Sequence, residues 1–326
     1  MATPTTAITR FELGSTFHEF DLDMARMKYI GAQVLKPRGV GVVAANIGKV
    51  PIGQLLANAN ATTARNPGAG YARDTFEFDK WAYAVQEYGK EQPLDDSQER
   101  MYADIIDAEQ ISIQKARDAV LNEYERKVAA LTMNPTTFAG HTGAGSNWTN
   151  FNTSTPVNDV IGALKSASDA SGIEANALIL GVDAWRNMMQ SADLIDRVQF
   201  TQTPTNKTLM SLLPEILGID RIIVGGGFTN TAHEGQPATI SRIWPTTMAL
   251  ACRIAVTEDP QEPCIGRTFI WTGDGPGAPG DGGSLAVIAE EYREEKVRGA
   301  VYRARCNYDL QIMYAAAGYL LTGLTG

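Results

Sequence analysis

Residues 97–133, SQERMYADIIDAEQISIQKARDAVLNEYERKVAALTM, hold no glycine and no proline, although Pro93 and Pro135 stand close on either side. Those two residue types interrupt helices, so their absence over this length predicts one long helix. The apolar positions Tyr102, Ile105, Ile106, Ile113, Ala116, Val120, Tyr124, Val128 and Leu131 recur at steps of three and four, with one skipped turn at Glu109 and Gln110. That spacing lays a stripe along one face. Asp95, Asp96 or Ser97 can cap the start. Glu99, Asp104, Asp107 and Glu109 crowd the first half, while Lys115, Arg117, Arg126 and Lys127 come later. This order suits the helix dipole. At 1.5 Å per residue the helix would run about 55 Å. That exceeds what a compact domain needs, so the helix is expected to form the backbone of an elongated or flat molecule.

Working upstream, residues 1 to about 39 set Thr, Gly and single charges around Phe11, Phe17, Phe20 and Tyr29, with no sustained period. This reads as an extended arm. Such a segment buries too little surface alone to offset its ordering entropy, so it is either a frayed terminus or laid across something else, another subunit included. Val40-Gly41-Val42-Val43-Ala44-Ala45 then reads as a strand and Ala57 to Gly70 as a loop. From Tyr71 onward, Phe76 and Phe78 alternate with acids. After a slip, Trp81, Tyr83 and Val85 alternate with Ala82, Ala84 and Gln86. A period of two belongs to half-buried strands, so two ribbon strands around a long loop are expected. Packing of a sheet against its own core would account for these aromatics equally well.

Downstream, the polar stretch Asn134 to Thr155 fits a domain boundary, and an α/β pattern follows it. Helices are expected over Pro156–Ser171, Asp183–Gln190 and Lys207–Leu217. Strands are expected over Ala177–Leu180, Arg221–Val224, Ile240–Trp244 and Met248–Val256. The run GDGPGAPGDGG at 273–283 cannot hold regular structure and reads as a loop or linker. Ser284–Glu290 and Tyr302–Cys306 close the chain as strands, with an apolar end from Ile312 to Leu324. No internal repeat is evident.

Composition bounds the function. With 326 residues, 44% of them hydrophobic and 20% charged, the chain can bury a core and is neither a disordered tail nor a fibrous repeat. A net charge of −9 has the wrong sign for a protein whose task is coating phosphates. No apolar run reaches the roughly 20 residues a bilayer crossing needs, and Met1 to Phe17 lacks a basic and an apolar leader region, so the chain is expected to be soluble and not secreted. Cys252, Cys264 and Cys306 are odd in number and show no CxxC spacing, which favours buried thiols in a reducing compartment. His18, His141 and His233 lie too far apart for a metal motif. Gly225-Gly226-Gly227 follows a strand but lacks the rest of a phosphate-binding fingerprint and reads as a turn. The N-x-[ST] triplets at Asn60, Asn147, Asn152 and Asn206 read as chance matches. The charges from Glu290 to Arg298 read as a solvated face or as an intersubunit ion-pair strip. No catalytic, cofactor-binding or metal residue is assigned.

The order of these segments resembles that of the major capsid proteins of tailed bacteriophages, whose Johnson fold is shared with encapsulins and herpesvirus floor domains. The resemblance rests on Tyr71-Ala72-Arg73 through Trp81-Ala82-Tyr83-Ala84-Val85-Gln86-Glu87-Tyr88-Gly89, and on Leu94-Asp95-Asp96 leading into the helix. It continues in the helix tail Asn122 to Ala129, in Leu178-Ile179-Leu180-Gly181, in the helix around Trp185, in Asp193 to Val198 and in Leu217 to Gly225. It covers essentially the whole chain.

The resemblance implies an α+β fold with an N-terminal arm (1–39) and a strand with an extended two-stranded ribbon (40–94). It further implies a spine helix with peripheral domain (95–155), an axial α/β domain (156–250) and return strands carrying the Gly-rich loop (251–326). The function it implies is a structural protein, not an enzyme, that assembles into hexamers and pentamers of an icosahedral shell around double-stranded DNA. The protein would reside in the virion and assemble in the host cytoplasm. Scaffolding, portal and decoration proteins are the further partners it allows; DNA is enclosed without sequence-specific binding, and no membrane is involved. On the protruding ribbon, Arg73, Phe76, Trp81 and Tyr83 are the expected subunit contacts. Two family features have no counterpart in this sequence: the long charged helical segment that some members carry ahead of the arm, which is expected to be either cleaved or replaced by separate scaffolding, and an asparagine partner for a cross-link to Lys80 or Lys90 near the ribbon. The rival readings are an encapsulin-type nanocompartment shell and a small-molecule α/β enzyme using the turn at Gly225–Gly227.

Overall fold

Alternating burial in some segments and unbroken burial in others account for most of the architecture. The computed structural model describes residues 8–9, 29–51, 64–68, 70–71, 73, 77, 79–102, 108–138, 140–198, 206–233, 235–259, 262–273, 285 and 287–325. The first half of the chain contributes β1 (Ile8–Thr9), α1 (Gly31–Val34), β2 (Pro37–Val40), β3 (Ala44–Lys49), β4 (Asp79–Ala84), β5 (Gln86–Asp95), α2 (Asp96–Tyr102), α3 (Ala108–Thr132) and β6 (His141–Gly143). The next stretch contributes α4 (Pro156–Ser171), β7 (Ala177–Gly181), α5 (Val182–Gln190), α6 (Ala192–Val198), α7 (Asn206–Leu217) and β8 (Arg221–Gly225). The remainder is β9 (Phe228–Asn230), β10 (Ile240–Arg242), β11 (Met248–Cys252), β12 (Gly266–Trp271), β13 (Ile288–Glu294), β14 (Gly299–Ile312) and β15 (Gly318–Thr322), with a short 3-10 turn before β15.

The long strand β14 organises the first sheet. One of its edges pairs antiparallel with β13 through Gly299–Arg305 and with β12 through Tyr308–Ile312; the other edge takes β5. Outside these, β1 adds to β13 and β2 runs parallel to β12. In the second sheet the order is β6-β15-β11-β7-β8, with parallel pairs at both ends and antiparallel pairs in the middle. All five residues of β7 are buried, because both faces of this sheet are covered, and its sequence ALILG therefore shows no alternation.

Side chains of the second sheet divide between two cores. Ala177, Ile179, Ile223, Leu250, Cys252 and Leu320 face a core shared with α1, α3 and the first sheet. Leu178, Leu180, Ala249, Ala251 and Leu321 face a second core closed by α4, α5, α6 and α7. The helix α3 thus lies against both sheets. Its Ile113, Ala116, Val120, Tyr124 and Val128 are buried, as the three-and-four spacing predicts, and each such burial contributes about 1.5–3 kcal/mol for a large side chain.

Several expectations change. The helix expected over 97–133 is described as α2 and α3, and residues 103–107, with Ile105 and Ile106, lie outside the described residues. α3 alone runs about 38 Å at 1.5 Å per residue. The strand expected over 40–45 is broken: β2 ends at Val40, a bend exposes Val42 and Val43 (59% and 43%), and β3 starts at Ala44. The chain turns here from the large sheet into a separate two-stranded ribbon. Residues 30–35, read as the end of an extended arm, form a helical turn with Val34 and Leu35 fully buried; four residues carry too short a period to read.

Strand β12 was not expected, because Arg267 interrupts its apolar run. The structure buries that arginine completely, and its guanidinium donates to the carbonyls of Thr257 (3.1 Å) and Asp259 (2.6 Å). β11 stops at Cys252 rather than Val256, the strand expected over Ser284–Glu290 shifts to Ile288–Glu294, and Tyr302–Cys306 is the middle of a strand of 14 residues. The polar stretch 134–155 packs onto the second sheet: β6 pairs with β15, and buried Trp148 donates to Asp159 Oδ2 at 2.9 Å.

Candidate subunit-contact surface

Strands β3 and β4 pair antiparallel from Ala44↔Ala84 to Lys49↔Asp79, forming a two-stranded sheet of their own around residues 50–78. An isolated pair of strands is marginal in water and needs a surface to rest on. The base of the ribbon finds one on β12. Tyr83 stacks on Phe269 with centroids 4.9 Å apart, and Trp81 meets the same ring at 5.1 Å. The Tyr83 hydroxyl donates to the Val42 carbonyl (3.2 Å), and the amide of Ala84 donates to Asp309 Oδ2 (2.9 Å). On the far side Lys49 Nζ stands 4.7 Å from the Tyr314 ring centre, and the Tyr314 hydroxyl donates to the Val50 carbonyl. The expected alternation holds, with Tyr83 and Val85 buried and Trp81 half-buried, while Ala82, Ala84 and Gln86 are exposed.

The expected contact set therefore separates. Tyr83 is 5% exposed and is committed to the chain's own packing. Trp81 shares that cluster but keeps a half-open face, and Arg73 is exposed. Phe76 lies outside the described residues. Trp81, Tyr83 and Phe269 come together; Arg73 joins no contact among the described residues.

Sequence reading missed the polar centre of the molecule. Glu125, on the α3 face pointing inward, is 1% exposed and accepts three N–H groups at 2.7 Å, from the amides of Ile30 and Gly31 and from Trp244 Nε1. Burial raises its pKa, while those three donors oppose the rise. One carboxyl thereby ties α1, α3 and the segment preceding β11. Next to it, the Tyr124 hydroxyl and Thr268 Oγ1 share a hydrogen bond of 2.9 Å, which joins α3 to β12. A glutamate on a helix reads as a surface charge, and the only signal for this site was its place one residue from the apolar stripe.

Other sequence candidates acquire structural roles. A Cβ on Gly225 would stand 2.4 Å from the Trp244 ring, and one on Gly227 2.8 Å from that of Tyr29, so these glycines admit two aromatic rings against the backbone rather than cradle a phosphate. The charged run after Ile288 pairs within the chain. Arg293 forks onto Asp96 (2.6 and 3.1 Å), and Glu290 accepts from Arg303 and Arg305. At the start of α2, Asp95 accepts the Ser97 amide at 2.7 Å, and the Ser97 hydroxyl and amide together hold the Asp95 carboxyl below its ordinary range. Burial pushes the Cys306 thiol up to about 12 and raises Cys252 and Cys264 as well, which keeps all three protonated and unreactive. Among the described residues no cluster of His, Cys, Asp or Glu could hold a metal ion, and no helix is long and apolar enough to cross a membrane.

A two-stranded ribbon, a long helix lying against two sheets and a helix-covered mixed sheet together make the fold of tailed-phage major capsid proteins, the Johnson fold. No family model matches the chain. It is 23% identical over 250 residues, 74% of each chain, to the major capsid protein of Burkholderia phage BcepMu. A phage-related protein from Bordetella bronchiseptica RB50 superimposes with a TM-score of 0.70 at 18% identity over 98% of both chains. The capsid protein of cyanophage P-SCSP1u gives 0.56 at 13% identity, over 100% of this chain and 91% of that one.

Proposed function

We propose that the chain is the repeating wall subunit of an icosahedral phage shell that encloses double-stranded DNA, arranged as hexamers and pentamers. The observation that carries this is a two-stranded ribbon, separate from both main sheets, within a chain of capsid fold. Its role is structural and not catalytic. The ribbon between β3 and β4 then lies over an adjacent subunit with Arg73 and the open face of Trp81 as contacts, α3 serves as spine, and residues 156–250 meet their copies around the local axis. A net charge of −9 permits a wall that does not hold its DNA tightly. Portal, scaffolding and decoration proteins are the further partners, the virion is the final location and the host cytoplasm the place of assembly. An encapsulin-type shell is less supported, because the sequence relative is a phage capsid protein.

Negative-stain electron microscopy of the expressed chain, with light scattering on a sizing column, tests the reading. Closed particles of uniform size are expected. A monomer or dimer that stays discrete when scaffolding protein from the same phage is supplied would overturn it.

A further inference from the structure

Strands β9 and β10 pair with each other and, among the described residues, with no other strand; two strands alone are marginal in water. Their Phe228 and Ile240 stay 52% and 72% exposed. The chain enters this hairpin from β8 through Gly225-Gly226-Gly227 and leaves it through Trp244 and Pro245. Three successive glycines carry no side chain to oppose rotation about their backbone, so the run can serve as a hinge. Two rings hold that hinge still. Trp244 fills the space beside Gly225, and Tyr29 fills the space beside Gly227.

Tyr29 stands just ahead of α1, and the two side chains of α3 that hold residues 29–31 also hold the hairpin. The Asn122 amide donates to the Tyr29 hydroxyl (2.9 Å) and to the Phe228 carbonyl (2.8 Å), and its oxygen accepts from Thr229 Oγ1 (3.0 Å). Glu125 accepts the Ile30 and Gly31 amides and the Trp244 indole N–H, each at 2.7 Å. These two side chains stand three residues apart, on one face of the helix. With residues 29–31 withdrawn, Glu125 would keep one of its three donors, Asn122 would lose one of its three partners, and the space beside Gly227 would open. On β10, Arg242 forks onto Asp183 of α5 (2.5 and 3.2 Å) and lies over the Phe228 ring. That long side chain has the rotamer freedom to follow a moving strand, so it tethers the hairpin without fixing it. We propose that Tyr29 is a latch: seated on Gly227 and held by Asn122, it locks the Gly225–Gly227 hinge and the β9–β10 hairpin beyond it, and its withdrawal frees the hairpin to swing while both sheets stay folded. On the shell reading the hairpin lies within the region that meets its copies, so the latch sets the form of a contact surface. The coupling itself belongs to the single subunit, so its failure and that of the shell reading are separable.

The test is amide hydrogen exchange of the full-length unassembled chain, read by mass spectrometry on peptides covering the hairpin, where the Thr231 and Ile243 amides donate to the carbonyls of Thr239 and Gly227. Tyr29→Ala should speed exchange there about tenfold while β7 and β11 exchange as in wild type. Coupling is reciprocal. Gly227→Ala, whose methyl takes the place of the Tyr29 ring, should therefore speed exchange about as much at Val34 and Leu35, whose amides donate to the carbonyls of Ile30 and Gly31. An unchanged hairpin in Tyr29→Ala, or a rise shared equally with β7 and β11, would overturn the latch. So would a Gly227→Ala chain in which Val34 and Leu35 stay as protected as before. Should Tyr29→Ala not fold, Tyr29→Phe, which lacks only the hydroxyl held by Asn122, carries the test. Exchange about threefold faster and confined to the hairpin is expected of it, and an unchanged rate would overturn the proposal.

Discussion

The Glu125 junction and the β3–β4 ribbon are built by opposite rules. At the junction every polar group has its partner inside the chain: two backbone amides and one indole N–H converge on one carboxyl, and large apolar side chains of both sheets surround it. The ribbon rests at its base on Phe269, Asp309 and Tyr314, and among the described residues β3 and β4 pair with each other and with neither main sheet. One region makes the subunit stable by itself. The other is a two-stranded ribbon resting on the first sheet at its base, and on the proposed reading it gains its further support from a neighbouring subunit.

Substitutions at the junction should produce the largest effects, and on the isolated subunit. Glu125→Ala leaves three buried donors without an acceptor and opens a cavity, which should cost about 4 kcal/mol in urea unfolding. A loss near zero would mean that the junction is not structural. Gly225→Ala drives a methyl into the Trp244 ring and should cost about 2 kcal/mol, read as a lowered Tm. Within the ribbon base, Tyr83→Ala should cost the subunit about 3 kcal/mol. Trp81→Ala should cost it about 1 kcal/mol and reduce the yield of closed shells. Arg73→Ala should leave subunit stability within about 0.5 kcal/mol and lower only shell yield. If Tyr83 and Arg73 variants behaved alike, the division between base and protruding part would fail.

The smallest effect concerns pH. Burial raises the pKa of Glu125, so the folded chain binds its proton more tightly than the unfolded chain does. The stability from this group is then fully present below the unfolded carboxyl's pKa, and is lost as pH rises through the raised folded value. Unfolding measured across that range should show wild type losing its advantage over Glu125→Gln as pH rises. A constant difference would contradict the shift.

Period and uninterrupted burial made much of this fold legible. The stripe from Ile113 to Val128, the run ALILG and the alternation of Trp81, Tyr83 and Val85 each follow from one repeating constraint over several residues. What escaped was set by single long-range contacts. Arg267 looks like a surface residue until the carbonyls of Thr257 and Asp259 are beside it, and Glu125 until the N-terminus of α1 is. The break at 41–43 escaped because Val42 and Val43 carry strand-like chemistry where the chain only turns between two sheets. For the contact surface, sequence located the ribbon, but side-chain type alone could not separate Tyr83, used inside the chain, from Arg73, left outside it.

The most direct test of this division is to replace residues 50–78 with a short turn joining Lys49 to Asp79, then to measure both thermal unfolding and particle formation. The subunit is expected to unfold within about 3 °C of wild type, a shift of under about 1 kcal/mol, while closed shells disappear. Normal shells from the shortened chain would contradict the assignment of the ribbon as the element that holds neighbouring subunits together.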